Sequence, residues 1–523
     1  MSAPDAEPRA QPKPSARKKP NYARRRAVSL ILVHVLFGIH IAHWKLNGTT
    51  LAPLELNELM YTLELGIITA GFLFMLTAML ATMFFGRFFC SWGCHILALQ
   101  DLCHWMLSKV GINPKPVRSR LLLWVPMLAV VHMFVWPQIS RLREGQPMPT
   151  LHMNAETEGW ASFLTDDFWR NLPPVWVALL TFAVVGFAAV YFLGSRSFCT
   201  YGCPYGAMFG WADRLAPGRI RVHDNCEQCG LCTAACTSNI QVHKEFAEFG
   251  NVVNPACLKD LDCIQACPND AAYYGFGDPS LAKAVGPSKR FRVPFDFSWP
   301  EEILMAVVML ATVFIFRGLY NVGPFLMTLG LGAIFAFMSV TSLRLFTKPN
   351  VRFSKWVLRK GSRLQRAGLG FLGLSFALLI FSSHSAFIRY HEGKGWAAVQ
   401  LLEAGQSEMH SRVAALTAWQ HLRLVDRYGL LHPFELQAGL LRLAAMRGST
   451  ADVRRYAAIV SEELWDQALP LAELGGYRAA AGDWVGGVAD LRRALVLEPE
   501  SQVIAAELAQ LLQQIEAARA LTE

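Results

Sequence analysis

The sequence predicts a mainly α-helical, polytopic membrane protein of about seven spans, with a cysteine-rich α+β domain inserted after the fourth span and a helical-repeat domain after the last. Three observations predict it: long apolar runs recur, a cysteine-bearing motif appears twice at the ends of such runs, and the last stretch turns Ala/Leu-rich and acidic. A composition 53% hydrophobic and only 17% charged excludes one soluble domain. The net charge of +9 does not point to nucleic acid. Its bases lie beside the apolar runs, where they act as topology signals, and no nucleic-acid motif accompanies them.

Residues 1–26 are rich in Pro, Ala and basic residues, which predicts a disordered cytoplasmic tail ending in Arg24, Arg25 and Arg26. The following run, Ala27 to Trp44, is long and lacks a small-x-small cleavage site, so it reads as an uncleaved span with its N-terminus inside. Further runs lie at about 62–85, 120–137, 174–194, 301–319, 324–346 and 368–388, each long enough to cross the hydrocarbon. Arg87, Lys109, Lys115, Arg118 and Arg120 then fall inside, while Glu156, Glu158, Asp166 and Asp167 fall in an outer loop. The implied domains are 27–220 (four spans), 221–278 (the insert, cytoplasmic), 279–388 (three spans) and 389–523 (helical, periplasmic), in a bacterial inner membrane.

Spans two and four end in related motifs. One reads Arg87-Phe88-Phe89-Cys90-Ser91-Trp92-Gly93-Cys94-His95, the other Arg196-Ser197-Phe198-Cys199-Thr200-Tyr201-Gly202-Cys203-Pro204. The match marks a duplicated two-span hairpin whose copies share one orientation, so Cys90, Cys94, Cys199 and Cys203 should meet at one depth. Four such thiols suit a further cluster, copper, or reversible disulfides, with Arg87 and Arg196 favouring thiolate. Buried cysteines that are merely small and apolar are the bland alternative. His40 and His132 sit at similar depth in equivalent spans, a pair suited to haem or copper ligation or to quinol, against plain interhelical hydrogen bonding. Cys103 and His104 lack counterparts in the second copy and read as structural.

The insert carries Cys226, Cys229, Cys232 and Cys236 as C-x2-C-x2-C-x3-C, then Cys257, Cys263 and Cys267-Pro268. Two interlocked runs of this kind are the two-cluster ferredoxin pattern, in which the last cysteine of each run serves the other cluster. Zinc, with four ligands, does not account for seven cysteines in two runs, and the spacing argues for metal ligation over a disulfide knot. The pattern groups Cys226, Cys229, Cys232 and Cys267 around one 4Fe-4S cluster, and Cys236, Cys257 and Cys263 around a second. Asp260 stands where the second run should have a cysteine, predicting an Asp- or water-ligated iron, or a three-iron cluster.

Beyond these motifs, Leu474-Gly475-Gly476-Tyr477, Gly482-Asp483-Trp484, Ala494 and Glu498-Pro499 resemble one tetratricopeptide repeat; a plain helical bundle is the alternative. Residues 28–275 resemble the membrane-bound ferredoxin-type family of NapH, NosR and CcoG. His95, Thr237 and Asp260 depart from its pattern, the first two by replacing prolines. The resemblance implies membrane electron transfer without choosing the pathway; the leading reading passes electrons between a quinone pool or cytoplasmic redox donor and a respiratory or maturation partner, as in a quinol-dehydrogenase type of subunit, with the C-terminal domain docking that partner. A copper or metal reductase for cofactor assembly and a redox-sensing scaffold without turnover are the alternatives.

Overall fold

The computed structural model describes residues 20–54, 58–154, 161–169, 174–238, 240–283, 295–321, 323–404 and 408–520. It is mainly helical, with small antiparallel sheets. Contacts divide the chain into two units, 1–313 with 325–375, and 314–324 with 376–523.

In the first unit, Asn21 caps helix Tyr22–Asn47 by accepting from the Arg24 N–H. Ile31, Leu32, Leu36 and Ile39 of this helix point away from protein, as a lipid-facing surface requires. Its start corrects the expectation of a tail disordered to residue 26. Tyr22 to Arg26 are helical, and Arg26 is buried because it pairs with Asp262 at 3.0 Å and Asp101 at 3.4 Å. Residues 1–19, and Glu156 and Glu158 of the outer loop, lie outside the described residues.

Six helices are long and apolar enough to cross a membrane, among the described residues: Tyr22–Asn47, Leu122–Arg143, Val175–Leu193, Trp299–Phe316, Phe325–Thr347 and Arg366–Glu403. The run at 62–85 is not one continuous helix. It breaks into Glu58–Leu65 and the shorter Ala70–Phe85. Gly66 takes φ +78° and presses against the Thr150 carbonyl, leaving no space for a side chain, while Thr69 restarts the helix by accepting from the Phe72 N–H. At the other end, helix Arg366–Glu403 holds no proline and runs unbroken past residue 388.

The insert is α+β. Strands Gly218–Val222 and Ala272–Phe276 pair antiparallel across its ends, with Gly218 opposite Phe276. Its core holds Ile220, Ile240, Val242, Phe246, Val252 and Leu261 with Cys232, Cys257 and Cys263. Phe88 and Trp92, from the first duplicated motif, pack on that core. The insert therefore packs on the first duplicated motif of its own unit and does not hang from a linker.

In the second unit, helices Glu408–Tyr428, Phe434–Met446, Thr450–Glu463, Ala468–Ala480, Trp484–Leu497 and Gln502–Ala520 follow one another. Ala468–Ala480 and Trp484–Leu497 approach closely because a side chain at Gly475 would stand 2.9 Å from the Gly487 carbonyl, and one at Gly487 would stand 2.8 Å from that of Gly475. Arg478 ties the pair by donating to Asp483 at 2.8 Å and Asp490 at 2.9 Å.

Candidate functional site

The two cysteine runs of the insert share a backbone. In the first, Gln228 and Gly230 take φ of +52° and +78° around Cys229, and a short helix Leu231–Ala234 then carries Cys232. In the second, Lys259 and Leu261 take +57° and +65° around Asp260, and helix Asp262–Gln265 carries Cys263. Left-handed turns at Gln, Lys and Leu are unfavourable for residues with a Cβ, so their repetition marks a loop shape kept for a purpose. Asp260 occupies the backbone position of Cys229.

Cys226, Cys229, Cys232 and Cys267 line one recess with Pro268, His243 and Phe246. Burial pushes the Cys232 thiol up to about 11, and Cys226, Cys229 and Cys267 add to the shift. On the other side, burial raises Cys263 well above its ordinary value, and Cys257, Asp260 and Cys236 nearby add to the shift. Cys236 and Cys257 are likewise raised, chiefly by burial. Backbone N–H groups of Ser238 and Ile240 point at Cys236, and that of Lys259 at Cys257. Soft sulfur donors in a recess, with N–H groups aimed at the sulfurs, fit an iron-sulfur cluster, whose potential such hydrogen bonds tune.

The duplicated motifs fold alike. Helices Phe88–Trp92 and Ser197–Tyr201 carry Cys90 and Cys199, and Cys94 and Cys203 stand at the N-caps of His95–Lys109 and Pro204–Asp213. The exchange of proline for His95 leaves that helix start in place. Gly93 and Gly202 lie under the rings of Phe89 and Phe198, where an added Cβ would stand 3.2 Å and 2.7 Å away. The four thiols are neighbours: burial raises Cys199, and Cys203 and Cys94 add to the shift, while burial raises Cys203, and Cys94 adds to it. The Gly206 N–H donates to Cys203 at 3.3 Å.

Both motif arginines are buried beside these thiols. Arg87 Nη2 lies 3.8 Å from Cys90 Sγ, while Nη1 donates to the Pro255 carbonyl at 2.8 Å. Arg196 donates through Nε to Thr237 at 3.2 Å, and its Nη2 lies 3.4 Å from Asp101 and 3.9 Å from Asp260. Arg87 Nε and Arg196 Nη1 are buried without a hydrogen-bond partner among the described residues. Cationic groups with spare donors beside four thiols fit an anionic, thiolate-ligated group.

Sequence reasoning missed two residues here, Gln100 and Asp213. Fully buried Gln100 accepts from the Cys199 thiol at 3.5 Å and donates to the Val185 carbonyl at 3.3 Å, joining the two repeats. Fully buried Asp213 takes Lys259 Nζ at 2.7 Å and the Arg87 N–H at 3.1 Å. A lone acid ending the otherwise apolar stretch Pro204–Asp213 was the available signal for it. Thr237 donates to Asp260 at 2.8 Å, so two of the three departures from the family pattern contact each other.

The second run is clamped to the first thiol motif. Ser91 donates to the Leu258 carbonyl at 2.8 Å, and Trp92 Nε1 to the Lys259 carbonyl at 3.1 Å. Glu227, Gln228 and Cys229 of the first run are exposed instead. The histidines have separate surroundings: His40 bonds the Leu51 carbonyl at 3.0 Å beside Phe168, and His132 lies against Phe325. Cys103 is buried, its sulfur 3.1 Å from where a Cβ on Gly186 would lie.

The 4Fe-4S binding domain family matches residues 67–113 and 175–223. These two segments contain the duplicated thiol pairs, so the domain occurs twice and ends before Cys226. Escherichia coli YccM, a putative electron transport protein, is 25% identical over 271 residues, covering 49% of this chain and 69% of that protein. The uncharacterized protein MJ0750 of Methanocaldococcus jannaschii is 21% identical over 201 residues, 37% of this chain and 74% of its own. MauN of Paracoccus denitrificans, a methylamine utilization ferredoxin-type protein, is 25% identical over 162 residues, 29% of this chain and 48% of its own. No solved structure matches.

Proposed function

From a chain that carries the 4Fe-4S binding domain twice and is homologous to YccM and MauN, we propose a membrane electron-transfer protein that links a redox donor at the insert to an acceptor in or beyond the membrane. The observation that carries this reading is the clamp between the insert's second run and the first thiol motif, through Ser91, Trp92 and Arg87.

Cys226, Cys229, Cys232 and Cys267 would hold one cluster and Cys236, Cys257 and Cys263 another, with Cys90, Cys94, Cys199 and Cys203 as a third sulfur site. Iron-sulfur clusters supply one-electron carriers whose potential follows burial and hydrogen bonding. The chain's residues arrange the rest. Exposed Glu227 to Cys229 give a soluble donor access, and buried Lys259, Asp213 and Arg87 fix the second run against the thiol motif. Basic residues beside the spans favour a cytoplasmic insert, with a quinone or redox protein as the exchange partner and the tetratricopeptide-like domain as a docking module.

A second reading has one observation in its favour: four convergent thiols beside spare guanidinium donors also suit soft Cu(I), as in a metal reductase. Iron, sulfide and copper analysis of the anaerobically purified full chain, with electron paramagnetic resonance before and after quinol or dithionite, tests both. The electron-transfer reading expects C199S/C203S to lose iron while the insert's signals persist. Copper lost in place of iron would favour the reductase, and an iron-free chain after reconstitution would end both readings.

A further inference from the structure

The second cysteine run keeps the turn geometry of a ligand loop while its middle ligand position holds a carboxylate that is already engaged. Thr237 Oγ1 donates to Asp260 Oδ2 at 2.8 Å, and Arg196 Nη2 stands 3.9 Å from the same oxygen. The Asp262 N–H reaches Oδ1 at 3.4 Å. Arg196 is itself fixed, through Nε to Thr237 and by Asp101. Asp260 is 7% exposed, so the carboxylate cannot exchange these partners for water. If Asp260 turned to iron, the buried guanidinium would keep only Asp101 as a near counter-charge, and the carboxylate would give up its bond from Thr237, both of which disfavour the turn.

We infer that Asp260 is not an iron ligand: Thr237 and Arg196 hold it as a counter-charge, leaving three protein thiolates, Cys236, Cys257 and Cys263, which take a three-iron, four-sulfide cluster. The inference rests on the electron-transfer reading and deepens it. Thr237, where a proline would have no hydroxyl to donate, is the residue that turns the carboxylate, so the departures at 237 and 260 work as one unit. Thr237 is a positioning residue, acting on the site through Asp260.

The test compares the anaerobically purified full chain with D260N and D260C, by electron paramagnetic resonance and by the cluster mass in native mass spectrometry. The wild-type chain should show the signal of an oxidised three-iron cluster without added oxidant, and D260N should show the same signal at the same intensity. D260C supplies a fourth thiolate, so it should lose that signal and gain one iron per chain. A wild type without the three-iron signal that acquires it only in D260N would make Asp260 a ligand and overturn the inference, even if D260C failed to fold. In that case the insert still holds iron and the electron-transfer reading stands. An iron-free insert in all three proteins would overturn both.

Discussion

The two cysteine runs of the insert have the same turns and the same short helix, yet opposite surroundings. The first exposes Glu227, Gln228 and Cys229, whereas the second buries Lys259, Asp260 and Leu261. Conserving a backbone while inverting its environment separates two jobs. The loop shape gathers sulfur; the side chains between the sulfurs decide whether the loop meets solvent or the duplicated thiol motif. Lys259, which would be an ordinary surface residue at the position of Gln228, instead reaches fully buried Asp213.

The largest break in this comparison comes from Arg87, whose guanidinium ties the second run through Pro255. Replacing it with Met removes a hydrogen bond from a charged donor and leaves the Pro255 carbonyl without it, which should cost about 3 kcal/mol. Hydrogen exchange of the full chain in detergent should show residues 255–262 losing protection in R87M, with the first run unchanged. An exposed charge in the first run is the control: E227Q should change stability by less than about 0.5 kcal/mol. Equal loss in both variants would mean that the clamp does not hold the second run.

Leu261 and Gly230 sharpen the comparison at about a third of that scale. Both sit at the same left-handed position, but nothing lies within 4 Å of a Cβ on Gly230, while Leu261 is 9% exposed in the insert core. The left-handed turn costs a residue with a Cβ about 1–2 kcal/mol, which burying a leucine offsets with about 1.5–3 kcal/mol. G230L should therefore destabilise the first run by about 1 kcal/mol, having strain without burial. L261G should also destabilise, by about 1 kcal/mol, because the lost burial exceeds the relieved strain. A stabilising L261G, read from denaturant midpoints at constant slope, would contradict this balance.

The apolar runs, the duplicated motif and the helical C-terminal segment were legible because hydropathy, spacing and composition are local properties. The break before Thr69 was not, since the deciding contact, Gly66 against Thr150, joins positions far apart in sequence. Arg26 was read as tail because its partners, Asp101 and Asp262, meet it only in the fold. At the site, the cysteines could be seen and their supports could not. Gln100 lies in one repeat and serves a thiol in the other, and the contact between Thr237 and Asp260 appears in the sequence only as two unrelated departures.

The smallest effect concerns Glu245, which holds the approach to the second run by accepting from the N–H groups of Val253 at 2.8 Å and Asn254 at 3.1 Å. Burial raises its carboxyl above the ordinary value, more than these two bonds lower it. A carboxyl raised on folding binds its proton more tightly in the native state. Stability from this group is then fully present below the unfolded value of about 4.3 and is lost as pH rises through the higher folded value. E245Q keeps an acceptor oxygen and has no charge to desolvate. Exchange protection of the Val253 and Asn254 amides, corrected for intrinsic rates, should fall with rising pH in the wild type and stay level in E245Q, with the variant more protected at neutral pH. Protection that rises with pH in the wild type would show that the two hydrogen bonds outweigh burial, and that the second run is held by a charge that the fold favours.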